Sequence, residues 1–380
     1  MHRAVWAVFI PLSLVACLIL CGASKPVVPT GSASVGALPS ATPAAQFFYF
    51  GGTGAAISGL SVADNVVTTI PGSPFTVVPE GQSFNMAAGK GLLFTDCYCS
   101  PYAIVAWAVD SKTGALTQKS STSEPTSFTL VTDPTHQFLY GVGLPLYGFS
   151  IDQGNGLLTA LSGSPYSPNP SVGPPAQISP NGAWICGPTF YGPGTPGEIS
   201  CAKRNPSTGT IFTGSKNQVY GGGGGYQGGG PFVKGSYLLA NILSYDSSDN
   251  SYSATGIAVL NKLSTHKIEP LSSVSVDGGI AVVDPSGTLV AVVGNNSMVT
   301  LLRFNPETAT LSQEAQITLS QMPGALTFSC DSNYLAVEHG SDNAVSVYSV
   351  ANNGFDEISG SPIAVAPGSF AQGIAICPAK

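Results

Sequence analysis

The feature that most limits what this chain can become is a strand–turn–strand cassette that recurs along almost its whole length. One copy reads Leu130-Val131-Thr132-Asp133-Pro134-Thr135-His136-Gln137-Phe138-Leu139-Tyr140. Two more run from Ile178 through Ser179-Pro180-Asn181-Gly182 to Cys186, and from Val283 through Asp284-Pro285-Ser286-Gly287 to Val290. Degenerate copies surround Ala87-Ala88-Gly89-Lys90, Phe232-Val233-Lys234-Gly235 and Ser329-Cys330-Asp331-Ser332. Pro suits the second turn position because its φ is already set, and Gly or Asn supplies the left-handed residue that closes the turn.

A second cassette, a hairpin, separates consecutive copies of the first. Its clearest examples are Val109-Asp110-Ser111-Lys112-Thr113-Gly114-Ala115-Leu116-Thr117 and Phe304-Asn305-Pro306-Glu307-Thr308-Ala309-Thr310-Leu311. Other copies start near Val62, Ile151, Arg204, Leu260 and Val350. The repeat length is therefore about 40–55 residues, the range of a propeller blade. Each repeat offers four short strands, and a lone four-stranded sheet has no means of covering both of its faces. Stacking such sheets radially into a closed ring solves that problem.

The chain ends point to closure. Gln372-Gly373-Ile374-Ala375-Ile376-Cys377-Pro378 reads as an inner strand that stops at its turn, and Phe47-Phe48-Tyr49-Phe50 reads as the strand that should follow. The sequence thus predicts an all-β, seven-bladed β-propeller of four-stranded antiparallel blades over residues 46–380. Its N- and C-terminal strands share one blade. The 46 Gly and 30 Pro among 380 residues then become turn residues repeated around one ring.

Met1-His2-Arg3 followed by an uncharged apolar run from Ala4 to Leu20 reads as an export signal over residues 1–21. Leu14-Val15-Ala16-Cys17 matches what a lipoprotein signal peptidase accepts, with Cys17 as the acylated residue and Cys21 as the alternative. An uncleaved anchor helix and ordinary secretion are the competing readings. Residues 22–45, rich in Ser, Pro, Ala, Gly and Val with Lys25 as their one charge, suit an extended tether. The expected location is a membrane-anchored lipoprotein facing the periplasm or cell surface. The only expected membrane contact is the N-terminal anchor.

Only 9% of residues are charged and the formal net charge is −7. Without a basic face there is nothing to displace phosphate counterions, which excludes a nucleic-acid partner and disfavours acidic substrates.

The Pro-Asn-Gly turn at Ser179 to Gly182, alternating with the Asp-x-x-Thr-Gly-x-Leu-Thr hairpin at Asp110 to Thr117, resembles the lactonase-type seven-bladed propellers. That family includes bacterial propeller 6-phosphogluconolactonases and carboxymuconate-lactonizing enzymes. The Gly-Ser-Pro tripeptides at Gly72, Gly163 and Gly360 add to the resemblance. It implies a Gly-Pro-Arg-His stretch on an inner strand and an Asn-Glu pair beyond the next strand. No blade keeps the Arg-His pair. Pro175 and Ala176 stand at those positions in one blade, Gly324 and Ala325 in another, and the remaining blades supply no charge there. Beyond the leader the only arginines are Arg204 and Arg303, both on hairpin cassettes and so expected at the outer edge. Recognition of a sugar phosphate relies on Arg forks or Lys, so hydrolysis of 6-phosphogluconolactone is disfavoured.

Glu338 and His339 lie near where the resemblance places Asn-Glu. They are the candidate catalytic acid/base pair, with an exposed loop as the plainer reading. His136 and His266 sit in turns, where polar residues belong. The Gly221–Gly225 run lacks the Lys-Ser/Thr ending of a phosphate loop. No cofactor or metal site is expected.

Six cysteines lie outside the leader, and an even number in an exported chain favours disulfides. Cys186 and Cys201 fall on consecutive strands of one blade. Cys330 and Cys377 occupy equivalent turns of adjacent blades, where a bond would fasten the ring. Cys97 and Cys99, two apart on one strand, are expected to stay free or to be metal-reactive, because a bond would close a strained small ring.

The expected role is an exported monomer that binds or scaffolds, with an unidentified small molecule or an envelope protein as partner. The alternative is a lactone hydrolase, acting on 6-phosphogluconolactone or on a neutral lactone or sugar.

Overall fold

The computed structural model describes residues 44–376, apart from stretches at 52–55, 78–84, 124–128, 169–170, 189–198, 213–217, 221–225, 228–230, 247–250, 261–269, 277–279 and 367–372 and a few single positions. The leader, the tether, Cys17, Cys21, His266, the Gly221–Gly225 run and Cys377 lie outside the described residues. Every regular element among the described residues is a β-strand.

These strands form seven antiparallel sheets. Blades 2 to 7 follow chain order and span 86–123, 129–160, 177–220, 226–274, 280–318 and 325–364. Blade 1 joins the two ends: Gly373–Ile376 is its innermost strand and pairs with Gln46–Phe50, which pairs with Ala56–Ala63, and that strand in turn with Val66–Thr69. Phe48 lies opposite Ala375 and Tyr49 opposite Ile374, the latch that the sequence predicts.

Packing explains both the strand composition and the closure. The second strand of a blade is covered on both faces, so neither side meets solvent: Leu92–Cys97 and Leu289–Val293 are buried at every position. The outermost strand meets solvent, and Leu116–Ser123 accordingly begins on buried Leu116 and continues with partly or fully exposed polar residues. The apolar core divides into seven clusters, one between each pair of consecutive blades. The cluster of Phe48, Phe50, Ala336, Val345 and Val347 joins blade 7 back to blade 1. Seven interfaces for seven blades leave no open edge blade.

The turn cassettes work through side chains that replace missing backbone partners. Asp284 Oδ1 accepts from the backbone N–H groups of Thr288 and Leu289, while Oδ2 accepts from Ser286 N–H and its hydroxyl. Asp133 holds the equivalent turn of blade 3 in the same way. Ser179 and Ser329 take the role with a hydroxyl, accepting from Trp184 and Tyr334 N–H. The three Gly-Ser-Pro tripeptides each contain a cis Ser-Pro bond. Their serine oxygens accept from Gly59, Gly148 and Val347 N–H, on the third strands of blades 1, 3 and 7.

Arg204 departs from expectation. It is not at the outer edge but only 1% exposed, between blades 3 and 4. Its Nη2 lies 3.3 Å from Asp133 Oδ2, Nη1 donates to Gly182 O at 2.6 Å, and Nε donates to the Tyr140 hydroxyl. The guanidinium also stands over the rings of Phe138 and Tyr140, at 5.1 and 5.3 Å from their centroids. The Tyr140 hydroxyl in turn donates a hydrogen bond to Gly209 O, as the Tyr49 hydroxyl does to Gly114 O between blades 1 and 2. Burial pushes the Tyr140 phenol up to about 12, against the opposing pull of Arg204. Gly209 has to be glycine: its φ is +75° and a Cβ would come within 2.5 Å of the Phe138 ring. A hairpin arginine is read as exposed because hairpins are exposed. Here the tight turn carries Arg204 inward to the one carboxylate that faces it.

The cysteines divide differently as well. Cys186 and Cys201 face each other across adjacent strands and are bonded, as the sequence predicts. Cys97 and Cys99 are not free: they are bonded to each other, because the chain leaves the strand after Cys97 and a Cα separation of 5.1 Å is within disulfide reach. Cys330 is disulfide-bonded, and its expected partner Cys377 lies outside the described residues.

Candidate functional site

The innermost strand of each blade is a sheet edge, and these edges surround the central channel. The channel holds a cavity of about 260 Å³. Its border comes from Ala281 to Val283 and Pro285 of blade 6, Leu326 to Phe328 and Cys330 of blade 7, and Gly373 to Ala375 of blade 1. Gln177 of blade 4 and Pro231 of blade 5 complete it. None of these side chains carries a charge, and Cys330, being disulfide-bonded, offers no thiolate. Gln177 and Thr327 are the polar side chains of the lining.

The positions where the resemblance implies Arg and His have structural reasons to differ. In blade 7 a Cβ on Gly324 would come within 2.2 Å of Glu338 Oε2, so the carboxylate fills the space a side chain at 324 would need. In blade 4, Pro175 follows a cis bond and Ala176 is fully buried within the cluster between blades 3 and 4. Arg204 is committed to Asp133, and Arg303 lies half exposed at the blade rim beside Glu314 and Asn353.

Glu338 and His339 are both buried, at 0% and 8% exposure, and neither lies in an exposed loop. Glu338 is the last residue of Tyr334–Glu338, and the ladder continues through His339 N–H to Ala344 O. Successive side chains of a strand point to opposite faces. Ala336, two before Glu338, packs toward blade 1, while Val337, two before His339, packs toward blade 6. Adjacent in sequence, the two side chains therefore serve opposite faces of blade 7.

His339 shares its face with Ser346, which lies opposite Val337 and donates to Glu357 Oε1 at 2.8 Å. Ser361 donates to the same oxygen. Burial holds the His339 imidazole below its usual range, opposed by the carboxylates of Asp342 and Glu357, and Nε2 has no hydrogen-bond partner. The sign of the pH effect follows. With the folded pKa below the unfolded value of 6.5, the folded state binds fewer protons. Its stabilising contribution is complete above pH 6.5 and is lost as pH falls from there toward the folded pKa. His339→Gln should flatten the fall in urea midpoint between about pH 7 and 5, and an unchanged slope would assign that fall to other groups.

His136 adopts a positive φ in its turn and sets Nδ1 3.2 Å from Ala88 O, a contact between blades. Among the described residues no group of three or more His, Cys, Asp or Glu comes together as a metal site. The sequence reading missed both the role of Arg204 and the Gln177 and Thr327 lining. Gln177, directly after Ala176 at the start of an inner strand, was the one available signal.

No family model matches this chain, and no curated protein does. Solved structures do. A candidate 6-phosphogluconolactonase from Bacteroides fragilis superposes with a TM-score of 0.65 at 13% identity, covering 89% of this chain and 100% of that one. The periplasmic gluconolactonase of Pseudomonas aeruginosa gives 0.63 at 11% identity, covering 88% and 99%. A protein of unknown function from Desulfotomaculum acetoxidans gives 0.62 at 15% identity, again covering 88% and 99%. At such identities the likeness is one of fold, and the fold that this chain shares with lactonase-type propellers is the seven-bladed ring.

Proposed function

We propose that this protein is an exported, lipid-anchored propeller that acts by binding, as a receptor or scaffold, and does not hydrolyse sugar-phosphate lactones. The observation that carries the reading is that the described residues lining the channel cavity are uncharged. A phosphorylated lactone needs fixed positive charge at its binding site. Arg204, the one arginine drawn into the interior, is already neutralised by Asp133. The disulfides at Cys97–Cys99 and Cys186–Cys201 support export, because such bonds persist in oxidising compartments.

Purified protein should turn over 6-phosphogluconolactone no faster than the lactone opens spontaneously. Turnover clearly above that background would overturn the reading. Labelled palmitate should enter the protein and be lost in Cys17→Ala; label that survives this change and disappears in Cys21→Ala would move the anchor.

A second reading is favoured by the carboxylate of Glu338 beside Gly324, at the start of an inner strand. In it the protein hydrolyses a neutral lactone or sugar through Glu338 and His339. Because the two side chains face opposite ways, they would act separately, and alanine at either position should then abolish turnover on its own.

A further inference from the structure

We propose that the channel cavity takes an uncharged, hydroxyl-rich ring compound of monosaccharide size, held without chemical change. This rests on the binding role argued above and names its ligand class. Four observations lead to it.

The first is charge. Among the described residues, every side chain bordering the cavity is neutral, and so is the cystine half at Cys330. An anion or cation entering would shed water and find no counter-charge, which is costly in a protein interior. The second is the supply of neutral hydrogen-bonding groups. The inner strands of blades 6, 7 and 1 pair on one side only, with Leu289–Val293, Tyr334–Glu338 and Gln46–Phe50. Alternate backbone N–H and C=O groups on their other side face the channel, and an edge of this kind calls for a partner. The Gln177 amide adds a side-chain group that both donates and accepts, and the Thr327 hydroxyl, which donates to Phe328 O at 3.5 Å, adds an acceptor.

The third is the alternation of surfaces. Between the polar strand edges lie apolar side chains such as Val282, Leu326 and Ile374. A ring with hydroxyls at its edge and C–H groups on its faces matches both, whereas a hydrocarbon would leave the strand edges without partners. The fourth is size. A cavity of about 260 Å³ holds several waters and so has room for a single six-membered polyol.

The test is calorimetric titration of the full-length protein with glucose, myo-inositol, gluconate, glucose 6-phosphate and cyclohexanol. The expected result is saturable binding of a neutral polyol, with each charged sugar at least tenfold weaker and cyclohexanol weaker too. Thr327→Val should weaken polyol binding about five- to tenfold, and Thr327→Ser should restore it. Both variants should keep the thermal midpoint of the parent without ligand, so lost binding would not reflect lost folding. Preference for gluconate, glucose 6-phosphate or cyclohexanol would overturn the ligand class and leave the binding role standing. Binding of a polyol unaffected by Thr327→Val would remove it from this cavity and overturn the inference. If none of the five compounds binds, the ligand class fails. The scaffolding form of the proposed function, read out by a protein partner, is then tested separately.

Discussion

Arg204→Met should lower the free energy of unfolding by about 3–5 kcal/mol, because it leaves Asp133 buried, charged and without its counter-ion. Against the 5–15 kcal/mol or so that holds a typical domain together, such a loss shows in the yield of soluble protein as well as in the urea midpoint. The change removes more than an ion pair. Gly182 O and the Tyr140 hydroxyl lose their donors, and two aromatic rings lose the cation between them. Arg204→Lys should recover little, since an ammonium cannot donate along three directions from one planar fork. The diagnostic is the double variant Arg204→Met with Asp133→Asn. It no longer strands a charge, and it should cost clearly less than the sum of the single changes. Simple additivity would mean that Arg204 and Asp133 do not act as a pair.

Replacing Cys186 and Cys201 together by alanine should cost about 3 kcal/mol. Their 15-residue separation is the loop whose closure the bond imposes on the unfolded chain. The position magnifies the consequence. Both sulfurs lie in the cluster that joins blade 4 to blade 5, with Phe232, Leu238 and Ala240. Blade 4 is also the blade whose inner strand, Gln177–Ile178, is among the shortest, so fewer ladder bonds compensate. Urea titration of the double variant under oxidising conditions measures the loss directly. Peptide mapping without reductant should recover Cys186 with Cys201 and Cys97 with Cys99. Free thiols at the first pair would remove the basis of the prediction.

Much of the architecture was legible in the sequence, and the reason is local. A turn that takes Asp or Ser at its first position and a left-handed residue at its close leaves the same imprint in four blades, as Asp133, Ser179, Asp284 and Ser329 show. The latch was legible too, because Phe47 to Phe50 and Gly373 to Ile376 are each half of one pattern. Cys186 and Cys201 followed from counting strands. Partners across blades did not follow from any local rule. Arg204 and Asp133 are 71 positions apart in the numbering of the chain and meet only because two blades stack.

The same limit held for the candidate site. That Glu338 and His339 are neighbours is a property of the sequence. That they serve opposite faces of blade 7 depends on the strand running one residue further than its apolar pattern, and on which blade covers each face. The lack of Arg-His at the inner strands could be read directly; that the Glu338 carboxylate occupies the space beside Gly324 in blade 7 could not.

The sequence by itself determined the repeat, the number of blades, the closure of the ring and the scarcity of positive charge, since each is written in residues close together or in composition. Only the tertiary structure decided where that scarce charge goes. One arginine is drawn between two blades by a buried carboxylate, and the described lining of the channel cavity is left without charge, because burial and pairing are properties of surfaces that meet only when the ring has closed.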